Sequence, residues 1–95
     1  MVTHLVIFTW VPEVKAEQVD QLWHAFTRLA AEFSETATIR HGSDLGFRDI
    51  SGDYALVATF ADRAAWDAYQ ADPRHKAVVR DFVLPIQASR LTVQF

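Results

Sequence analysis

Two hydrophobic patterns follow one another in the first third of the chain. Residues 2–10 are apolar at both alternating sets of positions, as expected for a strand that is covered on both faces. Pro12 ends this strand, and residues 16–33 then carry apolar side chains at steps of one and three, which predicts a helix with a single buried stripe. The stripe consists of Val19, Leu22, Trp23, Phe26, Leu29, Ala30 and Phe33.

The middle of the chain has strand patterns on either side of a segment rich in turn residues. Residues 34–44 favour a second strand because β-branched side chains are frequent there. The segment 42–53 holds all three glycines, and a strongly apolar strand is predicted over 54–60. The short turn at 51–53 leads directly into that strand, so the second and third strands are expected to pair antiparallel.

The last third of the chain predicts a broken helical region and a final strand. Asp62 is a good N-cap for a helix over 63–70. Asp72 followed by Pro73 starts another helix, because proline is well tolerated at the first helical position. Pro85 closes that helix, and residues 90–95 alternate apolar with polar side chains as a half-buried strand does. The second of these helices carries apolar residues at helical spacing: Val78, Val79 and Phe82.

The resulting order, βαββαβ, predicts one α+β domain over residues 1–95 of the ferredoxin-like kind, with an antiparallel four-stranded sheet. A chain of this length buries a modest fraction of its surface. Hydrophobic residues make up 51% of the sequence, and they include three Trp and seven Phe. A second copy of the chain would help to bury this apolar surface, so we expect a homodimer.

Composition and charge narrow the classes of function. The formal net charge is -3, and the Lys and Arg residues are scattered, which argues against a nucleic-acid partner. The chain has no cysteine and no recognisable set of metal ligands, so no metal site is expected. No signal peptide and no apolar run of about 20 residues is visible, which favours a soluble cytoplasmic protein with no membrane partner.

Three segments carry a resemblance to one protein family. They are the first strand from His4 to Phe8, the run 54–60, and above all the segment 69–75, which has the pattern Tyr-x-x-x-Pro-x-His. Through these segments the chain resembles the stress-responsive A/B barrel proteins over nearly its whole length. The resemblance implies a dimeric α/β barrel, in which two ferredoxin-like subunits pack their antiparallel sheets together and keep their helices outside.

The resemblance also implies an activity. In the family member that closes the ring of olivetolic acid in plants, the Tyr and His of this segment carry the chemistry, and they correspond to Tyr69 and His75. A first-strand His of that pocket corresponds to His4, whereas a further pocket His corresponds to Leu56, where this chain departs from the pattern. The implied function is that of a cofactor-independent polyketide cyclase, with His75 as general base and Tyr69 as hydrogen-bond donor to an enolate oxygen.

Each of these side chains also has a purely structural interpretation. His75 lies near a helix N-terminus, which disfavours a positive charge, while Asp72 acts in the opposite direction. The imidazole of His75 could simply cap its own helical turn, and Tyr69 could be a core aromatic whose hydroxyl reaches water. His4 is a polar group on an apolar strand face, and it needs a partner whether it lies in a core or in a pocket.

Two further histidines are weaker candidates. His24 lies off the helical stripe and is expected in solvent, whereas His41 shares its strand face with Ile39 and is expected to point inward.

A substrate would need an apolar wall beside these polar groups. The helix face of the sheet is expected to supply one that holds a small apolar or aromatic polyketide-like ligand. Two alternatives stay open on the same scaffold, a non-catalytic stress-responsive ligand-binding homodimer and a cofactor-free monooxygenase. It is also open whether Trp23 and Phe26 plug the pocket. The predicted substrate-binding residues are His4, Val6, Phe8, Leu22, Trp23, Phe26 and Leu56.

Overall fold

Four strands and three helices follow one another in the predicted order. The computed structural model describes residues 1–95, and a π-helical turn over Val79–Val83 continues the last helix. The strands and helices are β1 (Val2–Trp10), α1 (Ala16–Glu32), β2 (Ala37–Ser43), β3 (Tyr54–Phe60), α2 (Arg63–Ala71), α3 (Pro73–Val78) and β4 (Gln87–Gln94).

All strands pair antiparallel in one sheet of order β2-β3-β1-β4. In this sheet β1 is central, with Val6 opposite Leu56 of β3 on one side and opposite Thr92 of β4 on the other. The connectivity and the order confirm the predicted ferredoxin-like fold. Because side chains alternate between the faces of a strand, β1 directs His4, Val6 and Phe8 to the same face.

The helices cover one face of the sheet, and they cover it unevenly. α1 packs against β2 and α2 against β3, whereas β4 is exposed over nearly its whole length. The core lies under the helices, and several of its large side chains are completely buried. These are Leu22, Leu29, Tyr54, Phe60, Tyr69, Val83 and Ile86. The uncovered half of this face, beside β4, is where a pocket is available.

The opposite face of the sheet is apolar but has no covering layer within one chain. Ile7 and Val57 are each 37% exposed there, and Leu91 of β4 is 75% exposed. β1 was predicted to be covered on both faces, and in the single chain only its helix side is buried. The outer face is therefore as apolar as a buried surface, although nothing within the single chain covers it.

Element boundaries differ from the sequence expectations at three places. β2 begins only at Ala37, because a turn in which the amides of Thr36 and Ala37 donate to the Phe33 carbonyl first closes α1. β4 begins earlier than expected, at Gln87, because the long β1 offers Trp10 as a pairing partner across a bulge. The π-helical turn was not predicted, since apolar spacing does not distinguish it from an α-helix.

Candidate functional site

A pocket of about 470 Å³ lies between the inner face of β1 and β4 and the region of α2, α3 and the π-helical turn. His4, Tyr69 and His75, which the sequence singled out, all line it. They come from β1, α2 and α3 and are brought together only by the fold. The predicted apolar residues Val6, Phe8, Phe26 and Leu56 also line this pocket.

The pair Tyr69 and His75 is built by the break between α2 and α3. α2 ends at Ala71, and Asp72 then caps α3 by accepting a hydrogen bond at 2.8 Å from the backbone amide of Arg74. Pro73 occupies the first turn of α3, so the chain changes direction without losing a backbone hydrogen bond. As a result the rings of Tyr69 and His75 lie with their centroids 4.3 Å apart.

His75 is held as an incompletely satisfied imidazole. Its Nδ1 atom is buried without a hydrogen-bond partner, and the residue lines the pocket. Burial lowers the pKa of His75, the charges of His4 and Arg90 act in the same direction, and the backbone of Gln70 opposes them. A neutral imidazole with a free nitrogen can accept a proton at neutral pH.

Tyr69 is almost completely buried, between the rings of Phe33, Phe60 and His75. Burial raises the pKa of Tyr69 far above its usual range, so its hydroxyl stays protonated. Of the two tyrosine hydroxyls in the chain, that of Tyr54 makes a hydrogen bond within the protein and that of Tyr69 does not. A protonated hydroxyl without an internal partner can donate to a ligand oxygen.

His4 has a partner within the protein. Its Nδ1 atom lies 2.9 Å from Nε2 of Gln94, on the adjacent strand β4, and its ring meets the edge of Trp66. Burial lowers the pKa of His4, and the charge of Arg90 lowers it further. His4 is therefore a fixed, neutral wall of the pocket, and His75 is the more available base.

Two predicted substrate-binding residues lie elsewhere, and this corrects the expectation for Leu22 and Trp23. Leu22 is completely buried in the core, while Trp23 is 42% exposed and packs against the rings of His24 and His41. The reason is the course of α1, which lies over β2 and reaches the pocket only through Phe26. Trp23 therefore does not plug the pocket.

The two weaker histidine candidates are both accounted for outside the pocket. His24 is exposed and lies 3.6 Å from the carboxylate of Asp20, one helical turn away. His41 faces inward, as predicted. One of its ring nitrogens lies 2.7 Å from the Tyr54 hydroxyl and the other 3.1 Å from the Thr27 hydroxyl.

Sequence reasoning missed the polar half of the pocket. Arg90, Thr92 and Gln94 line it from β4, and Trp66 lines it from α2. The signal lies in the alternation of β4, because its polar set faces the helix side and its apolar set, such as Leu91, faces outward. This is the reverse of β1, whose helix-side residues are mostly apolar. Only the sheet register reveals the reversal.

The structure contains no cluster of three or more His, Asp or Glu side chains placed to hold a metal ion. None of the helices combines the length and apolar character needed to cross a membrane.

Comparison with known proteins places the chain in a family. A dimeric ferredoxin-like protein of unknown function from Thermobifida fusca has 33% identity and a TM-score of 0.91, over 99% of this chain and 88% of that one. The hydroxynitrile lyase from Passiflora edulis has 19% identity and a TM-score of 0.82, over 99% and 90% of the two chains. An antibiotic biosynthesis monooxygenase has 16% identity and a TM-score of 0.75, over 100% and 96%.

The last two similarities show the fold alone, whereas the first also shows that related chains are described as dimeric. No curated protein sequence matches the chain. The model of the family described as "Stress responsive A/B Barrel Domain" matches residues 2–95. The chain therefore belongs to the stress-responsive A/B barrel domain family, as its sequence predicted.

Proposed function

We propose that this protein is a cofactor-independent enzyme that cyclises a poly-β-keto substrate by acid/base catalysis. The observation that carries the proposal is the pairing of His75 and Tyr69 in one pocket, with a free imidazole nitrogen beside a free hydroxyl. One group can accept a proton while the other donates a hydrogen bond. Both are needed to form and stabilise an enolate.

The reaction uses each group once. The imidazole of His75 removes a proton from a methylene between two carbonyls, and Tyr69 donates a hydrogen bond to the carbonyl oxygen that gains the charge. The carbanion attacks another carbonyl carbon of the same chain, so a C–C bond forms and the attacked oxygen takes the proton from His75. Loss of water from this alcohol leaves a double bond in the ring. The pocket also supplies proximity by holding the chain folded.

The apolar part of the pocket suits the hydrocarbon end of such a substrate. Val6, Phe8 and Leu56 line it from the sheet, and Phe26 lines it from α1. Leu56 stands where the cyclase pattern has a histidine. The wall is correspondingly more apolar here. The proposal therefore covers the class of reaction and does not extend to the substrate of the plant cyclase.

Proton abstraction provides a direct test. The purified protein is incubated in D₂O with poly-β-keto acids and with the matching thioesters, both of increasing length. Exchange of the activated methylene is followed by NMR, and cyclised product is detected by mass spectrometry. We expect exchange and loss of water above the buffer rate, and we expect the His75→Gln variant to lack both. Saturable binding with neither exchange nor product would instead identify a non-catalytic ligand-binding protein.

We also infer that the apolar outer face of the sheet is a homodimer interface. Ile7, Val57 and Leu91 present apolar surface there, and similar ferredoxin-like proteins are described as dimeric. Sedimentation of the wild type is expected to give twice the mass of the chain. Leu91→Lys and Val93→Lys should both give monomers, because a charge would be buried against the partner. A wild-type monomer, or variants that stay dimeric, would contradict this interface.

A further inference from the structure

The pocket concentrates positive charge in a chain whose net charge is negative. Three of the nine Lys and Arg side chains line it, namely Lys76, Arg80 and Arg90, whereas none of the twelve Asp and Glu side chains does. The formal net charge of the whole chain is -3. A concave site with one sign of charge attracts ligands of the opposite sign. The charge pattern therefore points to an anionic ligand.

Two of these three cations are not engaged by a carboxylate. Arg80 lies 2.8 Å from the carboxylate of its neighbour Asp81, whereas neither Lys76 nor Arg90 takes part in any of the salt bridges of the structure. Arg90 projects from β4 to the helix side of the sheet, opposite Phe8. Its charge reaches both histidines of the site, since it lowers the pKa of His4 and of His75.

An unpartnered donor lies in the same pocket. Nε1 of Trp66 is buried and has no hydrogen-bond partner, and the indole ring lies 6.0 Å from the ring of His4. An indole N–H can only donate, so it needs an acceptor atom. Buried polar groups almost always have a partner, and Trp66 lines the pocket, so its N–H is a candidate donor to a bound ligand. The complement of Trp66 and Arg90 together is an oxygen-rich, negatively charged group.

We propose that the pocket recognises a carboxylate on its ligand, with Arg90 as the binding residue, Lys76 in support and the hydrocarbon part against Phe8 and Leu56. A guanidinium matches a carboxylate better than an ammonium does, because it can donate two parallel hydrogen bonds. The inference deepens the proposed function, since it names the substrate class of the same pocket: a poly-β-keto acid whose free carboxylate is held by Arg90.

Binding of two matched probes tests this recognition without any turnover. 4-Pentylbenzoate and 4-pentylbenzamide have nearly the same shape and differ in charge, and both are titrated calorimetrically into the wild type, Arg90→Gln and Arg28→Gln. We expect the wild type to bind the benzoate about tenfold more tightly than the amide, because a charge-assisted pair exceeds a neutral hydrogen bond. Arg90→Gln should remove this preference and leave the affinity for the amide unchanged.

Arg28 is the matched control, because it is exposed on α1 and does not line the pocket. Its variant should keep the full preference for the benzoate. Raising the salt concentration should lower the affinity for the benzoate and leave the affinity for the amide unchanged. The proposal would be overturned if the wild type bound both probes with equal affinity or did not bind the benzoate. It would also be overturned if Arg90→Gln lost affinity for both probes equally.

The two proposals of this pocket fail in different ways. A protein that prefers the benzoate but never exchanges a methylene proton retains carboxylate recognition and loses the proposed catalysis. A protein that catalyses exchange but binds both probes equally retains catalysis and loses the role of Arg90.

Discussion

The chain contains two histidine–tyrosine pairs on the same face of its sheet, and they differ in what their polar atoms meet. His41 and Tyr54 are joined by a contact of 2.7 Å, and Thr27 contacts the other imidazole nitrogen. The ring centroids of His75 and Tyr69 are closer, at 4.3 Å against 6.0 Å for His41 and Tyr54, yet the buried Nδ1 atom of His75 has no partner. The polar atoms of the first pair are satisfied by hydrogen bonds within the protein, whereas those of the second pair are available to a ligand.

The difference follows from the position of each pair in the sheet. The His41 pair lies near β2, where α1 supplies Thr27 and the packed ring of Phe26. The His75 pair lies toward β4, which carries no helix over it. A residue type therefore does not identify a site. Unsatisfied polar atoms beside an open volume do.

Replacing each histidine by glutamine gives the largest expected contrast. His75→Gln should lower kcat/KM for the β-keto substrate at least about 100-fold, because it removes the general base. His41→Gln should leave kcat/KM nearly unchanged and lower the free energy of unfolding by about 1 kcal/mol, because it disturbs hydrogen bonds. Steady-state kinetics and urea unfolding measure the two effects. Comparable loss of activity in both variants would break the distinction.

The two tyrosines should separate in the same way. Tyr69→Phe should lower kcat on the order of 100-fold, because a donor to the developing oxyanion is lost. It should not lower stability, since that hydroxyl has no internal partner. Tyr54→Phe should keep activity and cost about 1 kcal/mol of stability, because it removes the partner of His41. An inactive Tyr54→Phe variant, or a destabilised Tyr69→Phe variant, would contradict the assignment of Tyr54 to stability and Tyr69 to catalysis.

Mild acid should affect both pairs through their histidines. Burial lowers the pKa of both His41 and His75 below 6.5. Below that pH the unfolded chain binds more protons than the folded protein, so the free energy of unfolding should fall as the pH drops through about 6.5 and be flat above it. Urea midpoints across this range measure the effect. Activity should also fall, since protonated His75 cannot act as base. A free energy of unfolding that rises on acidification would contradict the first statement, and constant activity would contradict the second.

The smallest expected effect separates the pairs electrostatically. The charge of Arg90 helps to lower the pKa of His75, whereas burial alone lowers that of His41. Arg90→Gln should therefore raise the pKa of His75 and leave that of His41 unchanged. NMR titration of the imidazole Cε1–H signals resolves the two residues. A change in the pKa of His41, or no change in the pKa of His75, would show that the charge of Arg90 does not act on the pocket.

The sequence by itself determined the βαββαβ order, the family and seven of the seventeen residues that line the pocket. Apolar periodicity specifies strands and helices because those patterns are local, and the caps at Asp62 and Asp72 act within one turn. The segment from Tyr69 to His75 was sufficient to identify a candidate base and its neighbour. The π-helical turn was not predicted, because apolar spacing does not distinguish it from an α-helix. The early start of β4 was not predicted either, because it depends on pairing with Trp10, far away in the chain.

Only the tertiary structure decided which predicted residues meet. In the structure Leu22 lies in the core and Trp23 at the surface, and neither lines the pocket. The reason is that packing, and not the helix's own pattern, sets the placement of α1 over β2. It also turned the polar side of β4 toward the pocket, which brought Arg90 to the site. The register of a strand fixes which of its faces points inward, and it depends on the neighbouring strands.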